Sequence, residues 1–138
     1  MEAIDDQLVG LFDGLQVLEI GQFVAAPVAG ELFAHGGADV VKLEPVSGDL
    51  TRKIDPLRTA DGSAWGEGRQ YVVKSRGKRA IPVDLSSTEG LKIARSLALR
   101  ADVLITNLRP GTANRLGLDF ETLTKENPRL VFGEINGF

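Results

Sequence analysis

Apolar residues fall into two rhythms along the chain. "LQVLEI" (15–20), "DVVKLEP" (39–45), "DVLITN" (102–107) and "RLVFGEING" (129–137) are short runs with the length and branched-residue content of buried strands. Between them, "APVAGELFAHGGADV" sets small and apolar residues at helical spacing and stops at Gly36-Gly37, after His35. "SSTEGLKIARSLALRA" opens on a capping box, Ser87 or Ser86 ahead of Glu89, and aligns Leu91, Ala94, Leu97 and Ala98 on one face. "RPGTANRLGL" and "FETLTKENP" predict two short helical pieces before the last strand. "YVVK" and "AIPVDL" read as two further short strands on either side of a basic turn. Residues 46–70 are rich in Gly, Asp and Ser and show little period, so they read as a long loop, usually functional or mobile in a compact domain. Strands alternating with helices call for right-handed crossovers. The expected architecture is one α/β domain over 1–138, a mostly parallel sheet with helices on both faces and a polar arm at 1–10.

Composition narrows the partners. The 138 residues are 43% hydrophobic and carry a net charge of −3, which argues against a general nucleic-acid or membrane-surface binder. With no cysteine, disulfides and thiolate metal sites are excluded and a cytoplasmic location is natural. "MEAIDDQLVG" is no cationic apolar leader, and no apolar run approaches the ~20 residues of a membrane span.

Against that acidic background, Lys74, Arg76, Lys78 and Arg79 crowd "KSRGKR". Such a run can be a solvated turn. It can also be an anion site, because Arg109 and Arg115 follow the next strand and a parallel sheet could bring them to the same edge. A guanidinium fork and an ammonium point charge both suit phosphate. Ligands of open parallel sheets sit beyond the carboxyl ends of the strands, which directs attention to "GQFVAAP", "EPVSGD" and "NLRPG". The first lacks G-x-G-x-x-G and puts Phe23 and Val24 where a pyrophosphate needs bare backbone, so Glu44 alone is a weak case for nicotinamide. Asn107 offers an amide donor and acceptor. His35 is read as a partner of the last helix carbonyls. One histidine and no cysteine assemble neither a Ser-His-Asp set nor a metal-ligand cluster. Trp65 and Tyr71 are anchors for the loop or a lid over a ligand's ring.

"GLQVLEIGQFVAAPVAGELFAHGGADVVKLEPVSGDLTR", "RGKRAIPVDLSSTEG", "DVLITNLRPGTANRLGLDFETL" and "NPRLVFGEINGF", in that order, resemble the class III (CaiB/BaiF-type) CoA-transferases. The resemblance runs from about Leu11 to Phe138 and covers the N-terminal part of a longer family chain. It implies a Rossmann-like domain that binds coenzyme A or acyl-CoA as substrate, with no permanently bound cofactor. By position, Phe23, Val24 and Ala25 would line nucleotide and pantetheine, and Arg76, Gly77, Lys78 and Val83 would flank the adenosine. Asn107, Leu108, Arg115 and Leu116 match the remaining contacts. Some members carry an arginine just after the strand-two acid, where this chain has Pro45; Arg52 or Arg109 could supply that charge.

The resemblance further implies transfer of CoA between an acyl-CoA and a carboxylic acid acceptor through an aspartate nucleophile. That residue lies downstream of "GF", and Asp39, Asp49, Asp84 and Asp102 do not match it, so no catalytic residue is expected within these 138. An acyl-CoA racemase domain of the same family and a non-catalytic nucleotide-binding or scaffolding module are the alternatives. A homodimer, or pairing with a complementary C-terminal chain, is the expected assembly, without nucleic acid or membrane.

Overall fold

A computed structural model describes residues 9–137, apart from the side chains of residues 57, 64 and 65. Most of the N-terminal arm, Phe138 and the side chain of Trp65 therefore lie outside the described residues. Five parallel strands make the main sheet: β1 (Gln16–Ile20), β2 (Asp39–Glu44), β5 (Arg79–Pro82), β6 (Val103–Thr106) and β7 (Val131–Glu134), in the order β5-β2-β1-β6-β7. Helix α1 (Ala25–His35) links β1 to β2, and α3 (Thr88–Arg100) links β5 to β6. Two short helices, α4 (Thr112–Leu116) and α5 (Phe120–Thr124), lead into β7.

The continuous apolar runs are explained by burial on both faces. Val17 of β1 joins Val40, Val103 and Ile105 in a core beneath α1 with Ala26, while Leu18 and Ile20 join Leu43 and Leu104 in a second core against Ala94 and Ala98 of α3. Since successive side chains point to opposite faces, Glu19 and Lys42 fall on the α1 side, inside the protein. Ser87 is the N-cap of α3, its hydroxyl accepting the Gly90 N–H at 3.0 Å. Ser87→Ala should therefore cost about 1 kcal/mol in a urea melt, and Ser86→Ala close to nothing.

Three segments depart from the sequence expectation. "YVVK" is no strand but the end of helix α2 (Arg69–Lys74): Tyr71 is buried while Val72 and Val73 face solvent, a helical pattern rather than an alternating one. The sheet edge beside β2 is occupied instead by β5, whose Pro82 suits an edge strand. Residues 46–70 hold a 3₁₀ turn (Leu50–Arg52) capped by Asp49 and a two-stranded antiparallel sheet, β3 (Pro56–Arg58) with β4 (Ala64–Gly68). Asp61 closes the hairpin turn, accepting the Ser63 N–H at 2.9 Å. The last strand is β7 alone, shorter than the apolar run 129–137.

Candidate functional site

The chain leaves β1 toward β2 on one side and β6 lies on the other, so the strand order reverses between β1 and β6. That crevice is where open α/β sheets hold ligands. Its floor is closed by Asn107, whose side chain accepts the Gln22 N–H at 3.0 Å and donates to the Gln22 carbonyl at 2.8 Å. A Cβ on Gly21 would sit 2.2 Å from Asn107 Oδ1, so the strap requires glycine there.

Beside the strap a cavity of about 570 Å³ opens over the α3-side core, bounded by Ile20–Gln22, Leu43–Ser47, Val83–Ser86 and Leu108. It is largely apolar, and its only charged lining residues among those described are Glu44 and Asp84. Glu44 is fully engaged: Arg52 donates Nε to Oε2 at 2.7 Å and Nη2 to Oε1 at 2.9 Å, and the Tyr71 hydroxyl donates to Oε1 at 2.7 Å. Burial alone would raise its pKa, but the hydrogen bonds from Arg52 and Tyr71 outweigh that and hold it below the usual carboxylate range. Tyr71, buried and facing this carboxylate, is pushed up to about 12. Arg52 lies 3.8 Å over the Tyr71 ring, hydrogen-bonds its hydroxyl and pairs with Glu67. Tyr71 is thus an anchor, not a lid. Asp84 is held by its own turn, accepting the Ser86 N–H at 2.9 Å.

Of the residues expected at a ligand, Val83 and Leu108 line this cavity. Phe23 and Val24 in the β1–α1 loop, and Ala25 at the start of α1, stand at the same edge outside the lining, and Asn107 is committed to Gln22. Arg109 and Arg115 are exposed on the segment leaving β6, Arg115 donating to Thr112 Oγ1 at 3.2 Å; Leu116 packs against the α3-side core.

The basic turn does not converge with these arginines. It precedes β5, so in a parallel sheet Arg76 and Gly77 fall at the opposite, amino edge, where Gly77 approaches Ala34 near the end of α1. Lys78 reaches inward, Nζ lying 2.6 Å from Glu19 Oε2 and 2.7 Å from the Pro27 carbonyl, with 1% of its side chain exposed. Arg79 forms a two-pronged pair with Asp39 at 3.0 and 2.6 Å. The lining that sequence reasoning missed, Asp84–Ser86, follows β5; with that strand placed at 79–82, the same carboxyl-edge rule would have found it. Pro45–Ser47 fall in the loop that the rule did mark. Among the described residues, no group of three or more His, Cys, Asp or Glu side chains is placed to hold a metal ion.

The profile of CoA-transferase family III matches residues 12–138. The chain belongs to that family. The cinnamoyl-CoA:phenyllactate CoA-transferase of Clostridium sporogenes is 40% identical over 128 residues, 93% of this chain and 31% of the relative. The succinyl-CoA:mesaconate CoA-transferase of Haloarcula hispanica is 38% identical over 130 residues, 94% of this chain and 33% of the relative. A CaiB/BaiF family protein from Brucella suis superposes with a TM-score of 0.83 at 36% identity, over 92% of this chain and 33% of that one. This family III chain therefore spans about a third of the length of those relatives. No helix among its described residues is long and apolar enough to cross a membrane.

Proposed function

We propose that this chain is the coenzyme A-binding part of a cytoplasmic class III CoA-transferase, which moves CoA between an acyl-CoA and a carboxylic acid. The observation that carries the reading is the 570 Å³ apolar cavity at the carboxyl edge of a Rossmann-like sheet, of a size and lining suited to a ring ligand. In this reading the adenine lies between Val83 and Leu108, and the diphosphate runs toward Arg109 and Arg115. The transferases among the relatives favour transfer over racemisation. The carboxylate that attacks the thioester is supplied from outside these residues, since Asp39, Asp49, Asp84 and Asp102 each serve a structural partner. Self-association of the domain is part of the proposal. β7 is an edge strand with Val131 61% exposed, and unpaired strand edges invite pairing between copies.

Calorimetry on the 138-residue protein tests the reading with CoA, dephospho-CoA and NAD. CoA should bind and NAD should not, because both oxygens of Glu44 are already taken and leave the ribose without an acceptor. No lysine or arginine among the described residues lines the cavity. Removing the 3′-phosphate should therefore weaken binding less than about tenfold, below the ~1.5–3 kcal/mol of a direct charged contact. Absence of heat with CoA would overturn the CoA reading. A larger loss with dephospho-CoA would reverse the ligand's orientation.

A further inference from the structure

The loop from β1 into α1 forms the cavity's rim through Gly21 and Gln22, yet little in its own sequence holds it. Val24, the N-cap of α1, makes no side-chain cap hydrogen bond. Phe23 has φ +74°, the left-handed region that a non-glycine residue keeps only where its surroundings enforce it.

Beside the Asn107 strap on Gln22, the loop is held by three lysines from three different elements. Lys42 of β2 donates Nζ to the Gly21 carbonyl at 2.9 Å. Lys74, in the last turn of α2, donates to the Phe23 carbonyl at 3.0 Å. Lys78, in the turn before β5, donates to the Pro27 carbonyl in the first turn of α1 at 2.7 Å. Glu19 unites the two inner lysines, its Oε1 lying 2.7 Å from Lys42 and its Oε2 2.6 Å from Lys78. α1 crosses this carboxylate at Gly30, where a Cβ would stand 2.2 Å from Glu19 Oε2 and 3.0 Å from Lys78 Nζ.

We infer that Lys42, Lys74 and Lys78 are positioning residues that clamp the β1–α1 loop and the first turn of α1 by their carbonyls and keep the cavity rim in its ligand-ready form. The inference deepens the CoA reading and rests on it for the ligand, but the clamp itself is a property of the free protein. Two of the four cations of the basic turn thereby find oxygens of this chain: Lys74 a backbone carbonyl and the Gln70 amide, Lys78 a backbone carbonyl and the Glu19 carboxylate. A lysine suits the task because its three N–H donors can serve a carbonyl and a carboxylate at once.

Lys74 gives the cleanest test. It is only half-buried, and its other partner is Gln70 on its own helix at 2.8 Å, so the core does not depend on it. Lys74→Met should accelerate hydrogen exchange at the amides of residues 23–25 about tenfold in the ligand-free 138-residue protein, the loss of one charge-assisted hydrogen bond. It should weaken CoA by a similar factor while the melting temperature stays put, and Lys74→Arg should restore both. Lys78→Met combined with Glu19→Gln, which leaves no unpaired buried carboxylate, should loosen the same amides. The clamp is overturned if Lys74→Met leaves loop exchange at the wild-type rate. It is equally overturned if exchange rises uniformly across the sheet, which is the signature of a merely structural residue. If wild type fails to bind CoA while its loop still loosens in Lys74→Met, the clamp stands and the CoA reading falls.

Discussion

Lys42→Met is expected to remove a large share of the stability of the fold. The Lys42 side chain is 1% exposed, and its ammonium meets Glu19 Oε1 at 2.7 Å, Asp49 Oδ2 at 2.9 Å and the Gly21 carbonyl at 2.9 Å. Two donors are spent on Glu19 and the Gly21 carbonyl, and Asp49 adds an ion-pair contact. Methionine matches the length of the stem but leaves two carboxylates and a carbonyl without that partner in the interior. Breaking a buried pair from one side costs about 3–5 kcal/mol, against a total of about 5–15 kcal/mol for an ordinary domain. The check is urea unfolding, where the midpoint should fall sharply with an unchanged slope. Adding Asp49→Asn to Lys42→Met should recover part of the loss, because it removes one stranded charge. A melting temperature within a degree or two of wild type would sink the account.

Acid should unfold the protein by titrating Glu44 and Asp49. Burial pushes both carboxyls up. The Arg52 and Tyr71 hydrogen bonds to Glu44, and the Thr51 and Lys42 hydrogen bonds to Asp49, prevail and leave both below their ordinary values. A folded pKa below the unfolded one contributes stability that is complete above the unfolded value, about 4, and drains away as pH falls through the folded value. The urea midpoint should thus be flat between neutrality and about pH 5, then decline steeply. Glu44→Gln should lower the plateau and flatten the acid limb. Tyr71 works in the opposite sense: its pKa, raised to about 12, contributes stability below its ordinary value near 10 and loses it as pH climbs through the folded one. Tyr71→Phe should abolish that alkaline limb. A midpoint that holds level down to pH 2.5 would show that neither carboxyl is stabilised as described.

Legibility in the sequence followed the range of the interactions. Ser87, the glycine stop after α1 and the apolar runs of β1, β2 and β6 act through neighbours a few residues away or through burial on both faces. Those signals are written locally. "YVVK" misled because three apolar residues and a basic one fit a short strand as well as one turn of helix, and only the position of β5 beside β2 decides between them. Nothing local to Glu44 announces that Arg52 and Tyr71 will fold back over it.

The sequence by itself determined the alternation of strands and helices, the parallel α/β class and, through four ordered motifs, the family. Only the tertiary structure decided what the charges are for. Arg76 and Lys78 precede β5 and Arg79 opens it, so parallel pairing leaves Arg76 and Arg79 at the edge away from the cavity, where Asp39 meets Arg79, while Lys78 reaches inward to Glu19. Val83 and the residues after it leave the same strand at the other edge and bound the cavity. A basic run reads alike whether it ends in water, on a ligand or on a buried carboxylate. Its meaning is set by which carboxylates and carbonyls lie within about 3 Å once distant segments have packed.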